Sequence, residues 1–291
     1  MNWTEIKTLK HPILSSYKKD LKLEDPLLMG ILNVTPDSFS DGGIFNNADG
    51  IVGRVDEFLA YGVDIADIGG ESTRPGSGGV DAEEEIRRVL PAVAHASASG
   101  LYVSVDTSKY RVADEALRAG ADMINDVAGF RDPSMIKVCA DYGCSVCIMH
   151  MLGEPGTMQA NPVYDSLLDD VREFLYDAAD RCVRAGIKTS SICVDPGFGF
   201  GKTVEDNYKL LANLEFFKAE GFPVLAGMSR KSMIGAVTGK PADKRLAGSI
   251  AAHTLALVMG ADIIRVHDID ESRDMLKVFK MFSGAGGKCL K

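Results

Sequence analysis

Polar and charged residues recur in this sequence at the ends of short apolar runs. Asn33, Asp67, Asp106, Asn125 with Asp126, His150, Asp195, Ser229, and Arg265 with His267 each close such a run. Singly, an Asp, Asn or Ser in that place suits a helix N-cap, because its side-chain oxygen accepts an orphan backbone N–H. Asp106, followed by Thr107 and Ser108, fits that reading as well as any. Arg265 and His267 are poor caps, so capping does not account for the set. Arg74, the adjacent Arg230 and Lys231, and Arg265 add cations near such ends, and gathered at one site they would hold an anion. No Ser-His-Asp or Cys-His arrangement points to covalent catalysis.

Two long loops, NVTPDSFSDGG at 33–43 and GGESTRPGSGG at 69–79, have the small-residue, glycine-rich composition of segments that fold over a ligand and exclude water. A third, DPGFGFGKT at 195–203, has the look of a nucleotide-binding P-loop. That motif would need Gly where Pro196 stands, so it is rejected. What survives is a tight glycine turn with Phe198 and Phe200 as apolar walls. Cys144 and Cys147 form a C-x-x-C, yet they fall in an apolar run read as a strand, where residues three apart face opposite sides. No second pair completes a zinc site, and the reading is structural.

Positioning these residues requires a scaffold, and the chain supplies one repeatedly. Eight apolar, β-rich runs, at 27–33, 63–67, 101–106, 122–126, 144–150, 191–195, 223–229 and 262–267, alternate with helical patterns such as 81–98, 108–119, 161–185, 204–219 and 243–259. Continuously apolar strands between helices argue for a parallel sheet buried on both faces. Eight such units in 291 residues point to a single-domain α/β protein, a (β/α)₈ TIM barrel, rather than an open doubly wound sheet, since no strand opens into G-x-G-x-x-G. The expected boundaries are an N-terminal extension over 1–26, the barrel over 27–283 and a tail over 284–291. In a barrel of this kind the strand ends share one mouth, which turns the polar residues that close each run into one candidate site.

Composition limits the partners. A 46% apolar chain can bury a full core, no apolar run is long enough for a bilayer, and a signal-like leader is absent, so a soluble, cytoplasmic protein is expected. A formal net charge of −9 has the wrong sign for a general nucleic-acid surface. Six cysteines in a reduced compartment do not make a disulfide framework.

The segments LNVTPDSFSDGG, DIGGESTRPG, SVDTSK, MINDVAG, MHMLGEPGTMQ, DPGFGFGKT, GMSRKSMIG, AGSIAAH and IIRVHD together resemble the dihydropteroate synthase family, in order and from Met29 nearly to the C-terminus. The resemblance implies a pterin-binding barrel that condenses 6-hydroxymethyl-7,8-dihydropterin diphosphate with 4-aminobenzoate in folate synthesis. It further implies that Asp106, Asn125, Asp195, Lys231 and Arg265 meet the pterin. Asn33, Arg74, Arg265 and His267 would then hold the diphosphate, and Mg²⁺ would sit on Asn33. Thr73, Pro75, Phe200 and Ser232 would meet the aminobenzoate, and Lys231, Arg265, His267 and Asp106 would act in catalysis. The expected chemistry is a largely dissociative, SN1-like substitution in which cations stabilise the leaving diphosphate. A homodimer is also implied, with the apolar stretch 250–259 either at its interface or buried in the monomer. A methyltransferase barrel with a similar pterin floor, a phosphate-binding isomerase or lyase, and a non-catalytic pterin binder are the competing readings. His95, His150 and His253 carry no assigned role, and packing is the expectation for His253.

Overall fold

Alternate residues of each barrel strand belong to two different cores, which is why the strands read as unbroken apolar runs. The computed structural model describes residues 13–35, 47–71, 79–153, 158 and 162–287. It begins with a short antiparallel hairpin, β1 (Ile13–Ser15) and β2 (Asp20–Lys22). There follow β3 (Leu27–Asn33), α1 (Asn47–Ala60), β4 (Ile65–Gly69), α2 (Ala82–Ala98), β5 (Tyr102–Asp106), α3 (Tyr110–Ala119) and β6 (Met123–Asp126). The second half runs α4 (Pro133–Tyr142), β7 (Ser145–Met149), α5 (Leu167–Arg184), β8 (Ile192–Asp195), α6 (Val204–Leu211), β9 (Leu225–Ala226), α7 (Ser232–Thr238), α8 (Leu246–Val258), β10 (Ile263–Val266) and α9 (Ile269–Gly284).

The sheet is parallel throughout, in the order β8-β7-β6-β5-β4-β3-β10-β9. A parallel bridge between Val194 and Val224 joins its two ends and closes the cylinder. This is the (β/α)₈ barrel expected from the alternation of runs and helices. Leu28, Leu32, Ala66, Ile68, Val103, Val105, Ile124, Val146, Ile148 and Ile264 point outward into the layer under the helices. Met29, Ile65, Tyr102, Met123, Cys147, Cys193, Leu225 and Ile263 point inward and fill the lower barrel. Cys144 and Cys147 are divided in the same way, one in the outer core and one in the inner, as strand parity requires.

The hairpin is a floor for the barrel, a role not foreseen for the N-terminal extension. Leu14, Leu21 and Leu23 complete the inner cluster from below. Polar contacts fasten it: Ser16 Oγ donates to Asp122 (3.2 Å), Lys19 Nζ to the Leu101 carbonyl (2.6 Å), and Ser145 Oγ to the Ser15 carbonyl (2.8 Å). Three expected elements are shorter than the patterns that announced them, and the first is the 161–185 helix, which begins only at Leu167. The 223–229 run forms a strand only at Leu225–Ala226; before it, Val224 bridges Val194 while its N–H goes to the Asp262 side chain (2.8 Å), and after it the chain leaves the sheet for the turn at Ser229 and Arg230. The 204–219 helix ends at Leu211, where Asn213 leaves helical geometry and its amide donates to the Lys209 carbonyl; a 3₁₀ turn, Leu214–Lys218, follows. Among the described residues no helix is long and apolar enough to cross a membrane.

Candidate active site at the barrel mouth

Two residues up each strand, the same inward parity places polar groups where the lower layer has apolar ones. Asp67 follows Ile65, Ser104 follows Tyr102, Asn125 follows Met123, Asp195 follows Cys193 and Arg265 follows Ile263. Arg265 is the hub. Its Nε donates to Asp67 (2.5 Å) and its Nη2 to Asp106 (2.7 Å), bridging strands far apart in sequence. Asp67, fully buried, also accepts from Ser104 Oγ (2.7 Å) and lies 3.4 Å from the Asn125 amide. Asp106 is therefore no helix cap: α3 takes Lys109 as its N-cap residue, and the carboxylate goes to Arg265. Asp126 does serve the turn at its own strand end, accepting the N–H groups of Ala128 and Phe130 (2.8 Å each).

Asp195 uses Oδ1 to accept the Gly197 N–H (2.7 Å), while Oδ2 turns toward Gly227, whose position Arg265 also approaches. Lys231, just before α7, donates to the Phe198 carbonyl (2.6 Å) and stands 4.6 Å over the Phe200 ring. The adjacent cations diverge, which corrects the expectation that both face the mouth together. Arg230, in a left-handed backbone conformation (φ 58°), pairs with Asp268. Ser229 Oγ accepts the His267 N–H (3.1 Å) and lies 2.9 Å from its Nδ1, orienting the imidazole. Asn33 closes β3 half-buried, with its side-chain oxygen beside Gly69. Phe200 packs on Val127, Met149, Met151 and Met158, an apolar wall at the mouth. Ser232 opens α7 on an exposed face. Thr73, Arg74 and Pro75 lie outside the described residues, as does most of the 33–43 loop.

The electrostatics follow from burial under opposed charges. Burial pushes the Asp106 carboxyl up to about 7, with Asp67 adding to the rise and Arg265 opposing it. Asp195 is also raised by burial, against the pull of Lys231 and the Gly197 N–H. Burial brings Lys231 down to about 8, resisted by Asp195. Burial works against the Arg265 charge as well, but Asp67 and Asp106 outweigh it and hold the guanidinium ionised. Opposed buried charges with shifted pKa values, at the face where barrels of this kind bind ligands, mark a functional site.

Of this layer Ser104 was not singled out, and Asp67, a candidate as the polar end of its run, received no ligand role although it shares the parity of Asn125. Its partner Arg265 is 198 residues away, and nothing local announces the pair. Among the described residues no group of three or more His, Cys, Asp or Glu side chains is placed to hold a metal ion.

The family described as "Pterin binding enzyme" matches residues 29–267. A dihydropteroate synthase of Haemophilus influenzae is 48% identical over 273 residues, covering 94% of this chain and 99% of the relative. A solved dihydropteroate synthase of Xanthomonas albilineans with 4-aminobenzoic acid superposes with a TM-score of 0.88 at 43% identity, over 94% of this chain and 99% of the other. That of Burkholderia cenocepacia complexed with 7,8-dihydropteroate gives 0.87 at 45% identity, over 95% and 98%. With its barrel, its mouth and most of its length in common with these proteins, the chain belongs to the dihydropteroate synthase family of pterin-binding enzymes.

Proposed function

We propose that the protein condenses 6-hydroxymethyl-7,8-dihydropterin diphosphate with 4-aminobenzoate, giving 7,8-dihydropteroate and diphosphate, by a Mg²⁺-assisted, SN1-like substitution. One observation carries this reading: Asp106, Asn125, Asp195, Lys231 and Arg265, from five stretches of chain, gather in a single polar layer at the barrel mouth. A pterin edge is rich in N–H donors. Asp106 and Asp195 each give one oxygen to the protein, and among the described residues the other accepts no protein hydrogen bond. Charge-assisted hydrogen bonds of this kind contribute about 1.5–3 kcal/mol each. Arg265 fixes Asp106 and closes one side of the ring site. Asn125 turns its amide N–H₂ to Asp67, which would leave its Oδ1 to accept from the same edge.

In this proposal the amine nitrogen of aminobenzoate forms a bond to the pterin methylene carbon. The C–O bond to diphosphate breaks, its electron pair leaves with the anion, and the amine proton passes to solvent. Lys231, His267, Arg74 and the remaining N–H groups of Arg265 attract the charge that grows on the leaving oxygen. Ser229 holds His267 in register for that role. Phe200 and Ser232, with Thr73 and Pro75, would receive the aminobenzoate. The residues fit Mg²⁺ to this extent: the Asn33 amide oxygen is a hard donor at the mouth with no protein hydrogen bond among the described residues, and Mg²⁺ characteristically takes one or two protein ligands beside phosphate oxygens and water. When bound, the ion would supply Lewis-acid neutralisation of the diphosphate.

The proposal includes a homodimer, for which one surface is suited. Leu255 of α8 and Val278, Met281 and Phe282 of α9 are exposed on helices that pack against each other. Light scattering should give twice the chain mass, and a monomer would remove the dimer from the account.

The direct test incubates the purified protein with both substrates and Mg²⁺ and assays diphosphate together with dihydropteroate. Both should appear in equal amounts. Tight pterin binding with no diphosphate released would make it a binder rather than an enzyme.

A further inference from the structure

Beneath the 195–203 loop lies a buried ammonium with no part in the chemistry so far. Lys202 is 3% exposed. Its Nζ lies 2.9 Å from His150 Nδ1, 3.0 Å from the Phe200 carbonyl and 3.4 Å from the His150 carbonyl. It thus ties the end of β7 to the middle of the loop. The two segments are in close contact there: a Cβ on Gly197 would fall 1.9 Å from the His150 oxygen, so only glycine passes, and its φ of 74° is one glycine adopts readily.

The loop is pinned all round, and each pin has its own place. The Gly197 N–H goes to Asp195, the Gly199 N–H to Asn207 Oδ1 (2.6 Å), the Phe198 carbonyl to Lys231 and the Gly201 carbonyl to Tyr164 (2.7 Å). The Phe200 carbonyl goes to Lys202. Gly199 and Gly201 flank Phe200 in left-handed conformations, so its neighbours impose little stiffness of their own.

We propose that Lys202 is a positioning residue for the amine substrate: by holding the Phe200 carbonyl from below, it sets the Phe200 ring at the distance from Lys231 that the aromatic ring of aminobenzoate requires. This rests on the functional reading above. A buried ammonium is costly unless its donors are satisfied, and here they meet one ring nitrogen and two carbonyls. Burial lowers Lys202 to about 7 and, with Lys202 as a neighbour, His150 to about 2, so the imidazole is neutral and its Nδ1 is free to accept a hydrogen bond from the Lys202 amine.

The test compares Lys202→Met with wild type by steady-state kinetics in both substrates. The variant should raise KM for aminobenzoate about tenfold while KM for the pterin diphosphate stays within about twofold, because a displaced wall misplaces one reactant and not the other. An unchanged aminobenzoate KM, or equal rises in both, would overturn the proposal, the second marking a merely structural lysine. If Lys202→Met does not fold, Asn207→Ala loosens the same loop at the Gly199 N–H and should give the same one-sided rise. Its absence there would overturn the proposal equally. Wild-type turnover, measured alongside, separates the two readings: no turnover defeats both, whereas turnover without the one-sided rise defeats only this one.

Discussion

The lower and upper halves of the barrel interior are built on the same strands two residues apart, and their chemistry is opposite. Below, Met29, Ile65, Met123, Cys193 and Ile263 pack against Leu14 and Leu23 of the hairpin. Above, Asp67, Asn125, Asp195 and Arg265 form a layer of polar and charged groups. The upper layer is where burying charge is expensive, and the lower one supplies apolar burial that offsets it. Mutations in the two layers should therefore fail differently.

Arg265→Met should produce the largest effect. It leaves Asp67 and Asp106 facing each other without their cation, and breaking a buried pair from one side costs about 3–5 kcal/mol. Chemical denaturation should show that loss at pH 8 and a smaller one in acid, where the stranded Asp106 carboxyl takes up a proton. Stability equal to wild type at pH 8 would mean that the guanidinium is not the hub.

Leu14→Ala sharpens the contrast from below. The side chain is fully buried in the floor, and its truncation should cost about 2–5 kcal/mol of stability with both KM values unchanged. A pterin KM that moves with the floor would show the layers to be coupled.

Asp106→Asn gives the smallest and most specific effect. Because burial raises Asp106 to about 7, the folded protein binds a proton between about pH 4 and 7 that the unfolded chain has released. Its contribution thus lowers stability as pH rises through that window. Denaturation midpoints across the window should slope less for the variant than for wild type, and equal slopes would place the titration elsewhere.

What could be read from the sequence was whatever is local. A short apolar run that closes on Asp106, on Asp195 or on Arg265 with His267 announces both a buried strand and a candidate at its end, so the barrel and much of its mouth were legible. Asp67 also closes a run, but its place in the site depends on Arg265 at the other end of the chain, and pairing across a closed sheet leaves no local trace. Lys202 looked like the tail of a failed P-loop, because its partners, His150 and the Phe200 carbonyl, are known only once β7 and β8 are neighbours. The hairpin at 13–22 has strands of three residues, too short for a period to show. Arg230 and Lys231, adjacent and alike in type, are turned apart by the left-handed backbone of Arg230 itself, which composition does not reveal.

The central claim is that carboxylates in the upper layer hold the pterin, and calorimetric titration of the pterin diphosphate into wild type and Asp195→Ala tests it most directly. Loss of the acceptor should weaken binding about ten- to hundredfold, the equivalent of about 1.5–3 kcal/mol, with folding intact by circular dichroism. Unchanged affinity in a folded variant would contradict the account.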